Sequence, residues 1–142
     1  MSPVEWLDHT ADVGFRATAE SLDAVFCEAS RALFSLMFDI KAIGEQTRYP
    51  IALSAPSLEH LLVEWLSELL VQKDLTRLVF RRYELAIAGD VACGFSAVGT
   101  AFGEELDHKR HKPGTEVKGI SYLGLNVSQC DGMWVAQVIV DV

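Results

Sequence analysis

Apolar residues recur at three- and four-residue steps in two stretches of the chain and at alternate positions through much of the remainder. Leu22, Val25, Phe26, Ala29, Leu33, Leu36 and Met37 mark one face of a helix, and Ser21 stands where its hydroxyl can accept from an early helix N–H. Leu58, Leu61, Leu62, Trp65, Leu66, Leu69 and Leu70 mark a second helix capped by Ser57, with Glu59, Glu64, Glu68 and Lys73 on its wet side. Such a Leu-Trp stripe on an amphipathic helix is core packing before it is a ligand site.

Period-two segments predict the strands. Residues 12–18 form one, with Gly14 marking a bulge or a close backbone approach. Tyr49 to Leu53 form a short one, and Pro50 points to an edge or an end. Residues 79–87, a turn at Gly89-Asp90 and residues 93–102 make a hairpin. The charged stretch 103–115, carrying Pro113-Gly114, reads as a loop or one short helical turn. Three further strands are predicted at 116–122, 125–130 and 133–140, the last two joined by an Asp131-Gly132 turn. The apolar run from Trp134 to Val140 ends on Asp141-Val142, which predicts a C-terminus tied into the fold. Two helices early and strands late imply a single α+β domain over residues 1–142, a mixed or antiparallel sheet packed against two amphipathic helices.

Composition narrows the function. A chain of 142 residues, 50% hydrophobic, holds one core. Twenty acids against twelve Lys plus Arg leave a net charge of −8, which opposes direct binding of a nucleic-acid backbone and suits a basic protein partner. Lys109, Arg110, His111 and Lys112 form a local basic exception. Cys27, Cys93 and Cys130 lack the pairing or spacing of a disulfide framework or a cysteine-rich zinc site, so a reducing cytoplasm is expected. Neither a leader pattern nor a membrane-length apolar run is expected.

Candidate chemistry lies near the two ends. Asp8, Asp12 and Asp141, with a terminal carboxylate, are oxygen donors suited to calcium or magnesium. If the final strand runs beside the first, Asp12 and Asp141 meet, and two close carboxylates require a cation or a proton. By residue type alone, an Asp before a strand is a turn former before it is a ligand, and Asp141 a solvated terminal charge before it is one. His9 is a hydrogen-bonding partner before it is a ligand or base. His108 and His111 are spaced to share a zinc ion, but no third nitrogen or sulfur ligand is near. No nucleophile elbow, phosphate loop or dinucleotide fingerprint occurs, and Gly94, Gly99 and Gly103 fit strand bulges or packing constraints.

Several blocks in fixed order carry a family resemblance. They are His9-Thr10-Ala11-Asp12-Val13-Gly14; Ala32 to Met37; Leu61 to Leu70; Gly103-Glu104-Glu105-Leu106-Asp107; His111 to Tyr122; and the terminal Asp141-Val142. From about residue 5 to the last, the chain resembles the archease family. The resemblance implies a non-catalytic cytoplasmic accessory protein of the RtcB-type RNA ligase, which promotes guanylylation of the ligase histidine and multiple turnover in tRNA splicing and RNA repair. It also implies a divalent metal ion, calcium foremost with magnesium or manganese as alternatives, held by Asp12, Asp141 and the main-chain oxygen of Val142. Asp8 then falls to a turn or supporting role, and Lys118 to pairing with a nearby acid or with the ligase. The family's usual Val-Lys-Ala-Ile-Thr-Tyr reads Val117-Lys118-Gly119-Ile120-Ser121-Tyr122 here, and Val142 replaces a common Ile. Two other classes fit the residues: a stand-alone metal-dependent hydrolase or phosphatase, and a chaperone-like interaction module.

Overall fold

The structure is a computed structural model that describes residues 3–8 and 12–142. Among the described residues, seven strands form two antiparallel sheets. β1 (Val4–Asp8), β2 (Asp12–Ala19), β7 (Met133–Asp141) and β6 (Gly119–Cys130) build the first, in the order β1-β2-β7-β6. β3 (Thr47–Ala55), β5 (Gly94–Glu105) and β4 (Leu78–Asp90) build the second, in the order β3-β5-β4. The predicted class holds, and the pairing is antiparallel throughout both sheets.

The two predicted helices are α1 (Leu22–Met37) and α2 (Leu58–Thr76). Ser21 Oγ accepts from the Ala24 N–H and Ser57 Oγ from the His60 N–H, each at 3.1 Å, so both caps act as the sequence predicts. Each helix packs on strands of both sheets: α1 on β2, β7 and β4, α2 on β6, β3 and β5. Burial on more than one side explains why α2 hides Val63 beyond its predicted stripe, while Leu58 is only partly covered. Trp65, Phe15, Phe26, Phe34 and Phe80 are the largest fully buried side chains of the resulting core.

A buried hydroxyl joins the helices at its centre. Ser30 Oγ donates to the Phe26 carbonyl at 2.7 Å and accepts from Trp65 Nε1–H at 2.9 Å. Ser30→Ala leaves the indole N–H buried without a partner, a cost of about 1–3 kcal/mol that chemical denaturation will read as a lower midpoint at unchanged slope.

Several boundaries differ from those predicted. β1 was not expected, because a five-residue edge strand with Trp6 half exposed carries little periodic signal. β5 runs on to Glu105, so the first residues of the expected 103–115 loop are strand, followed by the single turn α3 (His108–His111). Residues 116–118 are irregular, and the two strands expected at 116–122 and 125–130 are one strand, β6, interrupted by a bulge. Gly14 keeps regular register with Ile139 and marks a close approach: a Cβ there would lie 3.2 Å from Leu7 Cβ.

Candidate functional site

The first sheet brings distant parts of the chain to one end. In the β2–β7 ladder Asp12 stands directly opposite Asp141, and in the β6–β7 ladder Gly119 stands opposite Asp141 on the other side. Directly opposed residues of an antiparallel pair are about 4.5–5.5 Å apart at Cα. The Lys118 N–H donates to the Asp141 carbonyl at 2.8 Å and ties the segment before β6 to the end of β7. Asp141, Lys118 and Val142 are exposed.

Gly119 leaves room beside Asp141. A Cβ at this position would sit 3.8 Å from Asp141 Oδ2, an ordinary contact. The departure from Ala at Gly119 therefore neither opens nor blocks the carboxylate. His9 lies outside the described residues, as do the side chains of Asp8 and Asp12. Among the described residues no group of three or more His, Cys, Asp or Glu gathers as a metal cluster. The donors at this sheet end are oxygens, which match a hard cation and not zinc.

The basic run 109–112 is broken up by its partners. His111 is fully buried and accepts from the Asp107 N–H at Nδ1, 2.9 Å. Its proton therefore sits on Nε2, which donates to Glu104 Oε2 at 2.7 Å. The same carboxylate oxygen accepts from the Gly44 N–H at 2.7 Å and from Arg110 Nη1 at 2.9 Å. Burial by itself pushes the Glu104 carboxyl up, but the Gly44, His111 and Arg110 donors outweigh it and hold the pKa at about 2. His108 is engaged by Arg77 Nη2 at 3.0 Å. With both His111 nitrogens occupied, the His108–His111 spacing makes no zinc site. Lys109 and Lys112 are left exposed.

This Glu104–His111–Arg110 cluster was not singled out from sequence. Its signal was an acid at the end of a strand of small and apolar residues, Ala101-Phe102-Gly103-Glu104, seven positions before a histidine. It ties β5 to α3 and to the Gly44 backbone.

The thiols are equally unreactive or unorganised. Cys27, Cys93 and Cys130 are free. Burial, reinforced by the negative charges of Asp23, Glu28 and Glu84, pushes the Cys27 pKa up to about 11, and its Sγ donates to the Tyr83 carbonyl at 3.3 Å. No helix among the described residues is long and apolar enough to cross a membrane.

The fold and the sheet end define a small α+β protein whose candidate chemistry is a pair of acidic residues on adjacent strands, β2 and β7, beside an exposed C-terminal segment. Residues 5–142 match the family model described as "Archease protein family (MTH1598/TM1083)", and the chain belongs to that family. It is 38% identical over 138 residues to a protein archease of Methanosarcina barkeri, covering 97% of this chain and 94% of the relative. It is 34% identical to that of Pyrococcus abyssi, covering 97% of each. The solution structure of Methanobacterium thermoautotrophicum protein 1598 superposes with a TM-score of 0.83 at 29% identity over the whole of both chains. A Thermotoga maritima crystal structure, titled an archease and possible chaperone, shares the fold with a TM-score of 0.61 at 15% identity, covering 96% of this chain and 94% of that one.

Proposed function

We propose that the chain is a cytoplasmic accessory protein of an RtcB-type RNA ligase, raising guanylylation of the ligase histidine and allowing multiple turnover in tRNA splicing and RNA repair. The observation that carries this reading is the register of Asp12 against Asp141, which places the two acids of the family's motif positions on neighbouring strands. Membership of the archease family supports it, as does a net charge of −8, which suits a cationic protein partner better than RNA itself.

In this reading Asp12, Asp141 and the Val142 main-chain oxygen hold a divalent cation, calcium foremost and magnesium or manganese otherwise. The fit rests on oxygen-only donors and on an exposed Asp141. When bound, such an ion supplies positive charge for phosphate oxygens or ligase side chains. The chain's own part is to hold the donors in place: the β2–β7 ladder sets the spacing, and the Lys118 N–H fixes the Asp141 carbonyl.

The test is a ligation assay with RNA bearing 2′,3′-cyclic phosphate and 5′-hydroxyl ends, at limiting ligase, with and without this protein. Turnover beyond one product per ligase and more ligase-guanylate are the expected results. Unchanged turnover sinks the reading, and phosphoester cleavage by this protein alone favours a hydrolase.

A further inference from the structure

Two large apolar side chains stand out of the surface beside the acidic sheet end. Tyr122 is 60% exposed and Leu123 73%. They sit on the β6 bulge, where residues 122–125 stand against the single residue Val138, because Ser121 pairs with Ile139 and Asn126 with Gln137. β6 is an edge strand, so the bulge points away from the sheet's own ladder.

The bulge is held in shape. The Leu123 N–H donates to Ser121 Oγ at 3.0 Å, and Gln137 Nε2 donates to the Gly124 carbonyl at 2.9 Å. Gly124 has φ +74°, and a Cβ there would lie 2.5 Å from Ile139 Cδ1, so the turn requires glycine. Leu125 packs against the core and anchors the far side. The Tyr122 ring meets the His60 ring edge-on at 6.0 Å between centroids. Apolar side chains already ordered in this way lose little freedom when a partner covers them.

Acidic groups flank the knob. His60 pairs with Glu64 at 3.3 Å, and the Glu59 carboxylate accepts from the Val127 N–H at 3.0 Å. Gly119, opposite Asp141, precedes Tyr122 by three residues, a span of at most about 10 Å. Lys118 is the cation on the segment leading in.

We propose that the Tyr122–Leu123 bulge is a docking knob that seats in an apolar cleft rimmed by basic side chains on the partner enzyme. The inference rests on the proposed reading that this partner is the RNA ligase. An enzyme that holds RNA must offer a cationic face, and an acidic surface around a rigid aromatic anchor complements it. A second copy of this chain would instead bring net charges of −8 together.

The experiment compares wild type with the Tyr122→Ser/Leu123→Ser variant in the ligation assay at limiting ligase, over a range of accessory-protein concentrations. The variant is expected to need roughly tenfold more protein for half-maximal activation, equivalent to about 1.4 kcal/mol of docking energy. Its circular dichroism and its stabilisation by calcium are expected to match wild type. Activation by wild type and variant at equal concentrations overturns the knob but leaves the accessory role standing. Failure of wild type to activate overturns the accessory role itself and the knob with it. A wild-type dimer in light scattering that the variant abolishes assigns the surface to self-association and likewise overturns the inference. Should the double variant misfold, Leu123→Ser alone alters the more exposed side chain and answers the same question.

Discussion

Replacing Asp141 with alanine is expected to abolish ligase activation while the protein remains folded. Asp141 holds its place in the ladder through main-chain groups, which alanine retains, including the carbonyl that accepts from Lys118. Its exposed side chain contributes no buried contact whose loss would unfold the sheet. On the proposed reading the variant lacks one of the two carboxylates that hold the cation, and Asp12→Ala, which lacks the other, is expected to give the same result. A readout independent of the ligase accompanies activity. Calcium at a hundredfold excess over its Kd stabilises a one-site protein by about 2.7 kcal/mol, so wild type should melt higher with calcium and the two variants should not. Equal calcium response in all three proteins contradicts the site, whereas global unfolding of both variants favours a purely structural role for the chain ends.

Glu104→Ala should produce the largest loss of stability. Glu104 is 4% exposed, His111 is fully buried, and their contact is shared with the Gly44 N–H and Arg110. Removing the acceptor leaves a buried imidazole N–H and a backbone N–H without partners, each costing about 1–3 kcal/mol, so the loss is about 3–5 kcal/mol. For a domain of this size that lowers the melting temperature by roughly 10–15 °C. The same carboxyl makes stability depend on pH. Its pKa falls from 4.5 to about 2 on folding, so the unfolded chain binds the proton more readily. The contribution is therefore complete above about pH 5 and disappears as pH falls through 4.5 towards 2, amounting to about 3 kcal/mol by linkage. Glu104→Gln keeps an acceptor for Gly44 but cannot titrate, so its stability should fall less steeply over that interval. Parallel acid-unfolding curves for Glu104→Gln and wild type would rule this account out.

Local periodicity made the helices legible. Ser21 and Ser57 with the stripes behind them are signals contained within a few turns, and the structure reproduces both caps. The β4–β5 hairpin was legible from its alternation, although its turn falls at residues 91–93 and not at Gly89-Asp90, which pair with Phe95 and Gly94; the Asp131-Gly132 turn was legible because turn chemistry is short-range. In β6 an exposed Tyr122-Leu123-Gly124 interrupts the alternation, so the sequence pattern divides one bulged strand into two, and a bulge and a turn carry the same local signal there. The Glu104–His111 contact was hidden differently. Both residues are ordinary surface types, and only a tertiary cavity closed by the Gly44 backbone makes them interior ones.

The chain by itself determined its two helices, most of its strands, its acidic character and, through ordered motif blocks, its family. Each depends on interactions between near neighbours or on totals that need no coordinates. Only the tertiary structure decided that the strands divide into two antiparallel sheets sharing one helix pair, and that Asp12 faces Asp141 across a ladder joining residues far apart in sequence. Strand register is set by which faces can be buried together, a property of the packed core as a whole and not of any segment.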